Sequence, residues 1–340
     1  MKKKIFKKLL AGALTAVMAF SLTACGGGDA GSSSSSGSKT SDAGSSDKTI
    51  TVGFSQVGAE SDWRTANTES MKSTFSEANG YKLIFDDAQQ KQENQITAIR
   101  NFIQQDVDYI VLAPVTESGW DTVLQEAKDA EIPVIIVDRM VKVKDDSLYT
   151  AWVGSNFELE GKKAAAYLKA YAEKKGMSAP KIVDIQGTIG ASAQIGRTKG
   201  LEDAVKAESW NLLEKTTGEF TQAKGQEVME SFLKQYDDID VVFAENDNMA
   251  WGAVDAIKAA GKQPGKDIII ICFDAVHETF NKMMAGEINC AVECNPLHGP
   301  RVDSIIKTLE AGGTVDKIAY VDEGVFDEAN AEAMNFVCAL

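Results

Sequence analysis

Residues 109–139 read YIVLAPVTESGWDTVLQEAKDAEIPVIIVDR, and this stretch decides the fold. It opens on Tyr109-Ile-Val-Leu-Ala113 and comes back to Pro133-Val-Ile-Ile-Val137, two runs without a polar residue. A strand apolar at every position must be buried on both faces, as strands of a parallel sheet are. Between the runs, Trp120, Val123, Leu124 and Ala127 recur at the spacing of one helix face. The stretch therefore predicts a strand, a helix and a second strand beside the first.

Working outward, the unit repeats. Thr49-Ile-Thr-Val-Gly-Phe-Ser-Gln56 and Tyr81-Lys-Leu-Ile-Phe85 precede it, and a fifth strand is expected near Tyr149 to Val153. Helical faces fall between: Met71, Phe75 and Ala78, then Ile96, Ile99 and Ile103. The alternation then starts again, with strands expected at Lys181–Ile185, Leu212–Thr216, Val241–Ala244, Ile268–Phe273 and Ile288–Val292. The faces between them are Leu201, Ala204 and Val205; Val228, Phe232 and Tyr236; Met249, Ala253 and Ile257. Gly80, Gly176, Gly261 and Gly286 stand where helices should stop. Two such runs of similar length predict an α/β protein of two Rossmann-like doubly wound lobes. Ligands of open α/β sheets bind at the carboxyl ends of the strands, so the two lobes should share one cleft.

The residues just after each strand are therefore the informative ones. They are Glu60, Ser61, Asp62, Trp63 and Arg64 opening a helix, then Asp138 and Arg139. In the second half they are Arg197 on the helix after Gly187–Ser192, then Phe220, Glu245, Asn246, Asp247, Asp274, Glu293 and Asn295. Carboxylates accept from hydroxyls, the arginine fork donates in a fixed plane, and an amide does both. Trp and Phe cover apolar C–H faces. Such a set suits a neutral, hydroxyl-rich ligand better than an amino acid or a phosphate. Each residue also has a plainer reading: Trp63 as core, Asp138-Arg139 as a surface ion pair, Asn246 and Asp247 as helix caps.

Enzyme motifs are absent. No G-x-S-x-G is present, and Gly53-Phe-Ser-Gln-Val-Gly58 has the wrong spacing for a nucleophile elbow. No G-x-G-x-x-G follows a strand, and Gly187-Thr-Ile-Gly-Ala-Ser192 lacks the ending of a phosphate loop. Asp86 and Asp87 are adjacent on a strand end and point to opposite faces, which does not suit a pair of glycosidase carboxylates. With two histidines and no C-x-x-C pair, no metal site and no cofactor is expected. Cys272, Cys290, Cys294 and Cys338 leave a disulfide open.

The N-terminus carries a different kind of signal. Five lysines lie in the first eight residues, an apolar stretch runs from Leu9 to Phe20, and Leu22-Thr23-Ala24-Cys25 resembles a lipobox. The apolar run is too short to span a bilayer and reads as an export signal, residues 1–24. Cleavage would leave Cys25 as a lipidated N-terminus. Residues 25–47, nearly all Gly, Ser, Ala, Asp, Thr and Lys, would form a flexible tether. Loss of the five lysines takes the formal charge from −15 to −20. An acidic body of that size argues against nucleic-acid binding.

Longer strings carry a resemblance. Val52-Gly-Phe-Ser-Gln-Val-Gly58, Gln89-Gln-Lys-Gln-Glu-Asn-Gln-Ile96, Glu126-Ala-Lys-Asp-Ala-Glu-Ile-Pro133, Gln186-Gly-Thr, Glu227-Val-Met-Glu-Ser-Phe232 and Pro264-Gly-Lys-Asp-Ile268 are the matching segments. From Thr49 to nearly the end the chain resembles the periplasmic sugar-binding proteins of the ribose-binding type, and within them the galactofuranose-binding branch. The resemblance implies that Glu60 to Arg64, Asp138 and Arg139 bind sugar from the first lobe. It implies that Arg197, Phe220, Asn246 and Asp274 bind it from the second. Glu293 is carried over on its spacing to Gly299, where ribose binders have Gln. Ser155-Asn156-Phe157 departs from the family's usual Asp-Asn pair, and Asp62 stands where relatives often have Gly. The resemblance further implies three crossings between lobes. One lobe would take residues 48–154 with 296–322, the other 155–295 with 323–340. Hinge closure over a monosaccharide, delivery to the permease and ATPase of an ABC importer, a monomeric state and a place on the outer face of the cell membrane follow from it. A repressor of the same lobed fold would need a helix-turn-helix in front. A subunit presenting sugar to a membrane kinase or chemoreceptor remains open at this point, and a glycosidase or mutarotase is disfavoured.

Overall fold

The computed structural model describes residues 49–338. The signal, Cys25 and the tether lie outside the described residues. Among those described, no helix is long and apolar enough to cross a membrane.

Two six-stranded sheets carry the fold. The first contains β1 (Ile50–Gln56), β2 (Tyr81–Asp87), β3 (Tyr109–Leu112), β4 (Val134–Val137), β5 (Ala151–Gly154) and β11 (Ile318–Tyr320), in the order β11-β5-β4-β3-β1-β2. The second contains β6 (Lys181–Gln186), β7 (Asn211–Thr217), β8 (Val241–Ala244), β9 (Ile269–Asp274), β10 (Cys290–Glu293) and β12 (Val325–Asp327), in the order β12-β10-β9-β8-β6-β7. Every pairing is parallel except β10 with β12.

The apolar runs are explained by two-sided burial. Tyr109 and Val111 enter one core of the first sheet, while Ile110 and Leu112 enter the core on its other face. Ile135 and Val137 likewise oppose Val134 and Ile136. In the second sheet Ile270 and Cys272 oppose Ile269, Ile271 and Phe273. Successive side chains of a strand point to opposite faces, so a strand between two helical layers must be apolar throughout.

The helices supply those layers. Around the first sheet these are α1 (Asp62–Thr74), α2 (Gln92–Gln104), α3 (Asp121–Asp129) and α9 (Gly299–Glu310). Around the second they are α4 (Phe157–Lys175), α5 (Ser192–Glu208), α6 (Gln222–Gln235), α7 (Asp247–Ala259), α8 (His277–Met284) and α10 (Ala331–Cys338). Gly80, Gly176, Gly261 and Gly286 all have φ between 70° and 83°, the left-handed region that ends a helix. One expected face is shorter than its pattern: α1 stops at Thr74, so Ala78 falls in a 3₁₀ turn and is exposed. Asn79 causes this, because its side-chain amide donates to the carbonyls of Ser73 and Thr74 and closes the helix.

The chain crosses between the sheets three times, at residues 155–156, 294–298 and 321–324. The short strands β11 and β12 flank the last crossing. The tenth strand begins later than its pattern, at Cys290. Asn289 precedes it: its side chain accepts from the Ile270 N–H at 2.9 Å and donates to the Gly265 carbonyl at 2.9 Å, while its own N–H keeps the ladder bond to the Ile270 carbonyl at 3.0 Å. Cys272, Cys290 and Cys294 are buried free thiols, which closes the disulfide question for those three.

Candidate functional site

The carboxyl ends of both sheets face one narrow cavity. Its empty volume, counted out to where it opens to solvent, is about 280 Å³. Glu60, Ser61, Trp63, Arg64, Asp138 and Arg139 line it from the first lobe. Ala193, Arg197, Phe220, Asn246 and Asp274 line it from the second, with Phe157 and Cys294 at the crossings. Ten of the twelve candidate residues therefore meet around it.

The first wall is built on the entry to α1. Ser61 caps the helix, accepting from the Arg64 N–H at 3.1 Å, and this sets Trp63 and Arg64 in the first turn. Trp63 donates its indole N–H to the Cys294 carbonyl at 2.6 Å, which fixes the ring plane against the second crossing. The Arg64 guanidinium donates to Glu60 Oε1 at 3.0 Å, Gln56 Oε1 at 3.2 Å and Asp138 Oδ2 at 2.7 Å. Arg139 donates to the Val115 carbonyl at 3.1 Å and to Glu60 Oε1 at 3.3 Å. Asp138 and Arg139 are thus no surface pair; both are buried. Burial resists ionisation of Asp138, but the charges of Arg64 and Arg139 prevail and hold its carboxyl below the usual carboxylate range. Burial, and then the like charge of Arg64, pull the Arg139 guanidinium down to about 10.

The opposite wall hangs on α5. Arg197 donates to Glu160 Oε2 at 2.7 Å, to the Glu245 carbonyl and, at 3.4 Å, to Asp274 Oδ1. Burial pushes the Asp274 carboxyl up against the opposing pull of Arg197. Gly161 of α4 and Gly200 of α5 allow this geometry. A Cβ on Gly161 would lie 2.6 Å from the Arg197 carbonyl oxygen, and one on Gly200 2.6 Å from the Gly161 carbonyl carbon. Asn246 caps α7, accepting from the Met249 N–H at 2.9 Å and donating to the Phe220 carbonyl at 3.0 Å. The helix-cap reading of Asn246 is thus correct, and the cap also faces the cavity. Glu245 turns away from the cavity into the lobe. It accepts from the Gly187 N–H at 2.7 Å and from the Thr198 hydroxyl at 2.5 Å, which anchors the turn under Phe220.

Aromatic faces close the box. The Arg139 guanidinium carbon lies 4.9 Å from the centre of the Phe220 ring, a contact that spans the two lobes. Phe157 lies beside Arg197 in the same way, at 5.4 Å.

Two candidates stand elsewhere. Asp62 is exposed at the cleft rim. Its N–H donates to Asn248 Oδ1 at 3.1 Å, and its Oδ1 accepts from Asn248 Nδ2 at 3.2 Å, a reciprocal pair between α1 and α7. Glu293 supports the last crossing, accepting from the Gly324 N–H at 2.9 Å and from the Asn295 amide at 3.3 Å. Conversely, Phe157, Ala193 and Cys294 line the cavity without having been singled out as site residues. Phe157 and Cys294 lie at chain crossings, where no periodic pattern exists to mark a face; Ala193 offers no polar group to notice.

The arrangement has a definite chemistry. Each of the three arginines is already paired with carboxylate: Arg64 with Glu60 and Asp138, Arg139 with Glu60, Arg197 with Glu160 and Asp274. A carboxylate or phosphate ligand would have to displace these buried pairs. Glu60 Oε2, also buried, has no hydrogen-bond partner and is a ready acceptor for a hydroxyl.

Residues 52–298 match the family described as periplasmic binding protein domain. The chain is 46% identical over 274 residues to the galactofuranose-binding protein YtfQ of Escherichia coli K12, covering 79% of this chain and 85% of that one. A Mycobacterium smegmatis structure in complex with β-D-fucofuranose superposes with a TM-score of 0.81 at 44% identity, covering 85% of this chain and 96% of the other. The periplasmic binding protein component of the arabinose ABC transporter from Shewanella sp. ANA-3, bound to α- and β-L-arabinofuranose, gives 0.80 at 45% identity over 85% and 95%.

Proposed function

This chain belongs to the periplasmic binding protein domain family, and on that premise we propose that it is the sugar-receiving subunit of an ABC importer. It is a binding protein and not an enzyme, as its relatives are. The family places it outside the cytoplasm. Its ligand is one monosaccharide, a hexose or pentose in furanose form of the galactofuranose type.

One observation carries this reading: three buried arginines, all neutralised by carboxylates, lie between aromatic faces around a small cavity. Such a wall presents fixed donors and acceptors without net charge. That suits several hydroxyls and a C–H face, and it disfavours anions. The cavity is too small for a chain of sugars. The names of the relatives above point to furanose rings.

In this reading Glu60, Ser61, Trp63, Arg64, Asp138, Arg139, Arg197, Phe220, Asn246 and Asp274 contact the sugar, Asp62 latches the rim, and Glu293 braces a crossing. The lobes are residues 48–154 with 296–322 and residues 155–295 with 323–340. They close like a hinge about the three crossings, and the closed form docks as a monomer on a permease driven by an ATPase. The lipobox-like string at Cys25 supports a signal over 1–24 and a lipid anchor with a tether over 25–47.

Thermal denaturation tests the ligand class. A ligand at a thousandfold excess over its dissociation constant adds about 4 kcal/mol, which raises the midpoint of a protein of this size by roughly 7 °C. Galactose or arabinose should produce that rise. If galactose, arabinose, ribose and glucose all leave the midpoint unchanged, the sugar reading fails.

A further inference from the structure

Behind the cavity, all three crossings converge on one carboxyl group. Glu323, in the last crossing, accepts through Oε1 from the Ser155 hydroxyl at 2.5 Å and from the Asn295 N–H at 2.9 Å. Ser155 belongs to the first crossing and Asn295 to the second. Ser155 Oγ also lies 3.3 Å from the Cys294 thiol, and Cys294 lines the cavity. Oxygens of Glu323 and Glu160 and the Cys294 sulfur all lie within 4.8 Å of one another. Glu160 Oε2 is taken by Arg197, whereas Glu160 Oε1 is buried and has no partner.

Two facing carboxylates in a buried hinge cannot both be ionised without strong repulsion. The two are held differently. Glu160 Oε2 is taken by the Arg197 guanidinium. Glu323 Oε1 is filled by two donors, which leaves its other oxygen free to carry a proton towards the orphaned Glu160 Oε1. We propose that this single shared proton clamps the three crossings together, and that Glu323 is a positioning residue whose protonation sets the affinity of the closed cleft. The linkage runs from Glu323 through Glu160 and Arg197 to Asp274 at the cavity wall.

The surroundings agree. Burial, and then the Glu160 charge, push the Glu323 carboxyl up to about 8. The charged and titratable groups acting on the pair are Arg197, Asp274 and Cys294, with Lys163 and Glu293 bound to the same crossings. Lys163 donates to the Glu323 carbonyl at 2.6 Å rather than to its carboxyl, and so leaves the proton in place. Burial raises the Cys294 thiol well above its ordinary range, so it stays neutral. The folded-state value of Glu323 lies above the ordinary 4.5. The stabilisation is therefore complete below about 4.5 and drains away as pH rises through about 8.

Glu323→Gln is the discriminating variant. Its amide oxygen still accepts from Ser155 and Asn295, and its NH₂ donates to Glu160 at every pH. Denaturation midpoints of the wild type, Glu323→Gln and Glu323→Ala are measured from pH 6.5 to 9.5. The wild-type midpoint should fall relative to that of Glu323→Gln as pH rises, and Glu323→Ala should be lower than both at pH 6.5. Parallel pH profiles for the wild type and Glu323→Gln would overturn the proposal. Calorimetric titration with arabinose or galactose adds a ligand arm, which rests on the sugar-binding reading. Wild-type affinity should drop at least threefold between pH 6.5 and 9.5, and that of Glu323→Gln should stay level. An equal drop in both would equally overturn the link to ligand. Absence of any sugar binding would remove the functional reading, while the midpoint comparison would still decide the shared proton.

Discussion

Asp138, Phe220 and Asp274 share an uncommon backbone, with φ of 60°, 62° and 104°. Non-glycine residues avoid this region, at a cost of order 1–3 kcal/mol each. Asp138 and Phe220 follow strand ends, Asp274 ends β9, and all three line the cavity, so at these positions the backbone aims a side chain at the ligand space. Phe220 shows how tightly the aim is held. A Cβ on Gly187 would lie 1.9 Å from the Phe220 ring, so only glycine allows that ring its place. Gly187→Ala should therefore evict Phe220 and weaken sugar binding at least tenfold, with the far-ultraviolet dichroism unchanged; calorimetry checks it, and unaltered affinity would deny Phe220 a role. These positions were legible in the sequence because strand ends can be read from apolar runs. Glu293 and Asp62 satisfied the same criterion, yet side-chain direction decides who reaches the cavity. The exposed start of α1 turns Asp62 to the rim, and Gly324 and Asn295 hold Glu293 to the crossing.

At the level of elements, a few hydrogen bonds join the two walls of the cleft and would hold the proposed closed form. Asp62 and Asn248 exchange two hydrogen bonds, the Glu117 N–H donates to the Gly190 carbonyl at 2.9 Å, and the Met140 N–H donates to Ser192 Oγ at 2.8 Å. Hydrogen bonds of this kind contribute about 0.5–1.5 kcal/mol each. Asp62→Ala loses the side-chain bond and keeps the backbone one, and should thus speed sugar release roughly two- to tenfold while hardly changing the association rate, as stopped-flow tryptophan fluorescence would show. A slower association with unchanged release would place Asp62 on the entry path rather than on the latch. The long strands and helices could be read from periodicity, since each has a core on one or both sides. The three-residue strands β11 and β12 could not, because a strand that short is specified by its partners β5 and β10. The crossings carry no periodicity of their own and were expected only from the family resemblance, so Phe157 and Cys294 beside them went unmarked.

Over the whole molecule, buried acids set the response to pH. Burial raises Glu245 to about 8 and Asp247 to about 7, and it pushes Asp184, whose oxygens are both without partners, well above its ordinary range. Their raised values mean that stability drains as pH climbs through about 7–8. Buried His298 works the other way. Burial holds it down to about 4 against an ordinary 6.5, so stability is lost as pH falls from 6.5 towards 4. Between pH 6.5 and about 8 these carboxyls dominate, and the denaturation midpoint should decline; a flat or rising profile there would contradict their burial. The proposed hinge closure is tested at this scale too. X-ray scattering should give a smaller radius of gyration with saturating sugar than without it.

The most direct measurement is a calorimetric titration of the protein lacking residues 1–24 with galactose and with arabinose, repeated on Arg139→Ala. Arg139 joins the two walls, since it donates to Glu60 at 3.3 Å and lies over the Phe220 ring. Micromolar or tighter binding of galactose or arabinose, at one site per chain and lost in Arg139→Ala, is the expected result. Binding of neither sugar, or equal binding by both proteins, would contradict a monosaccharide site in this cleft.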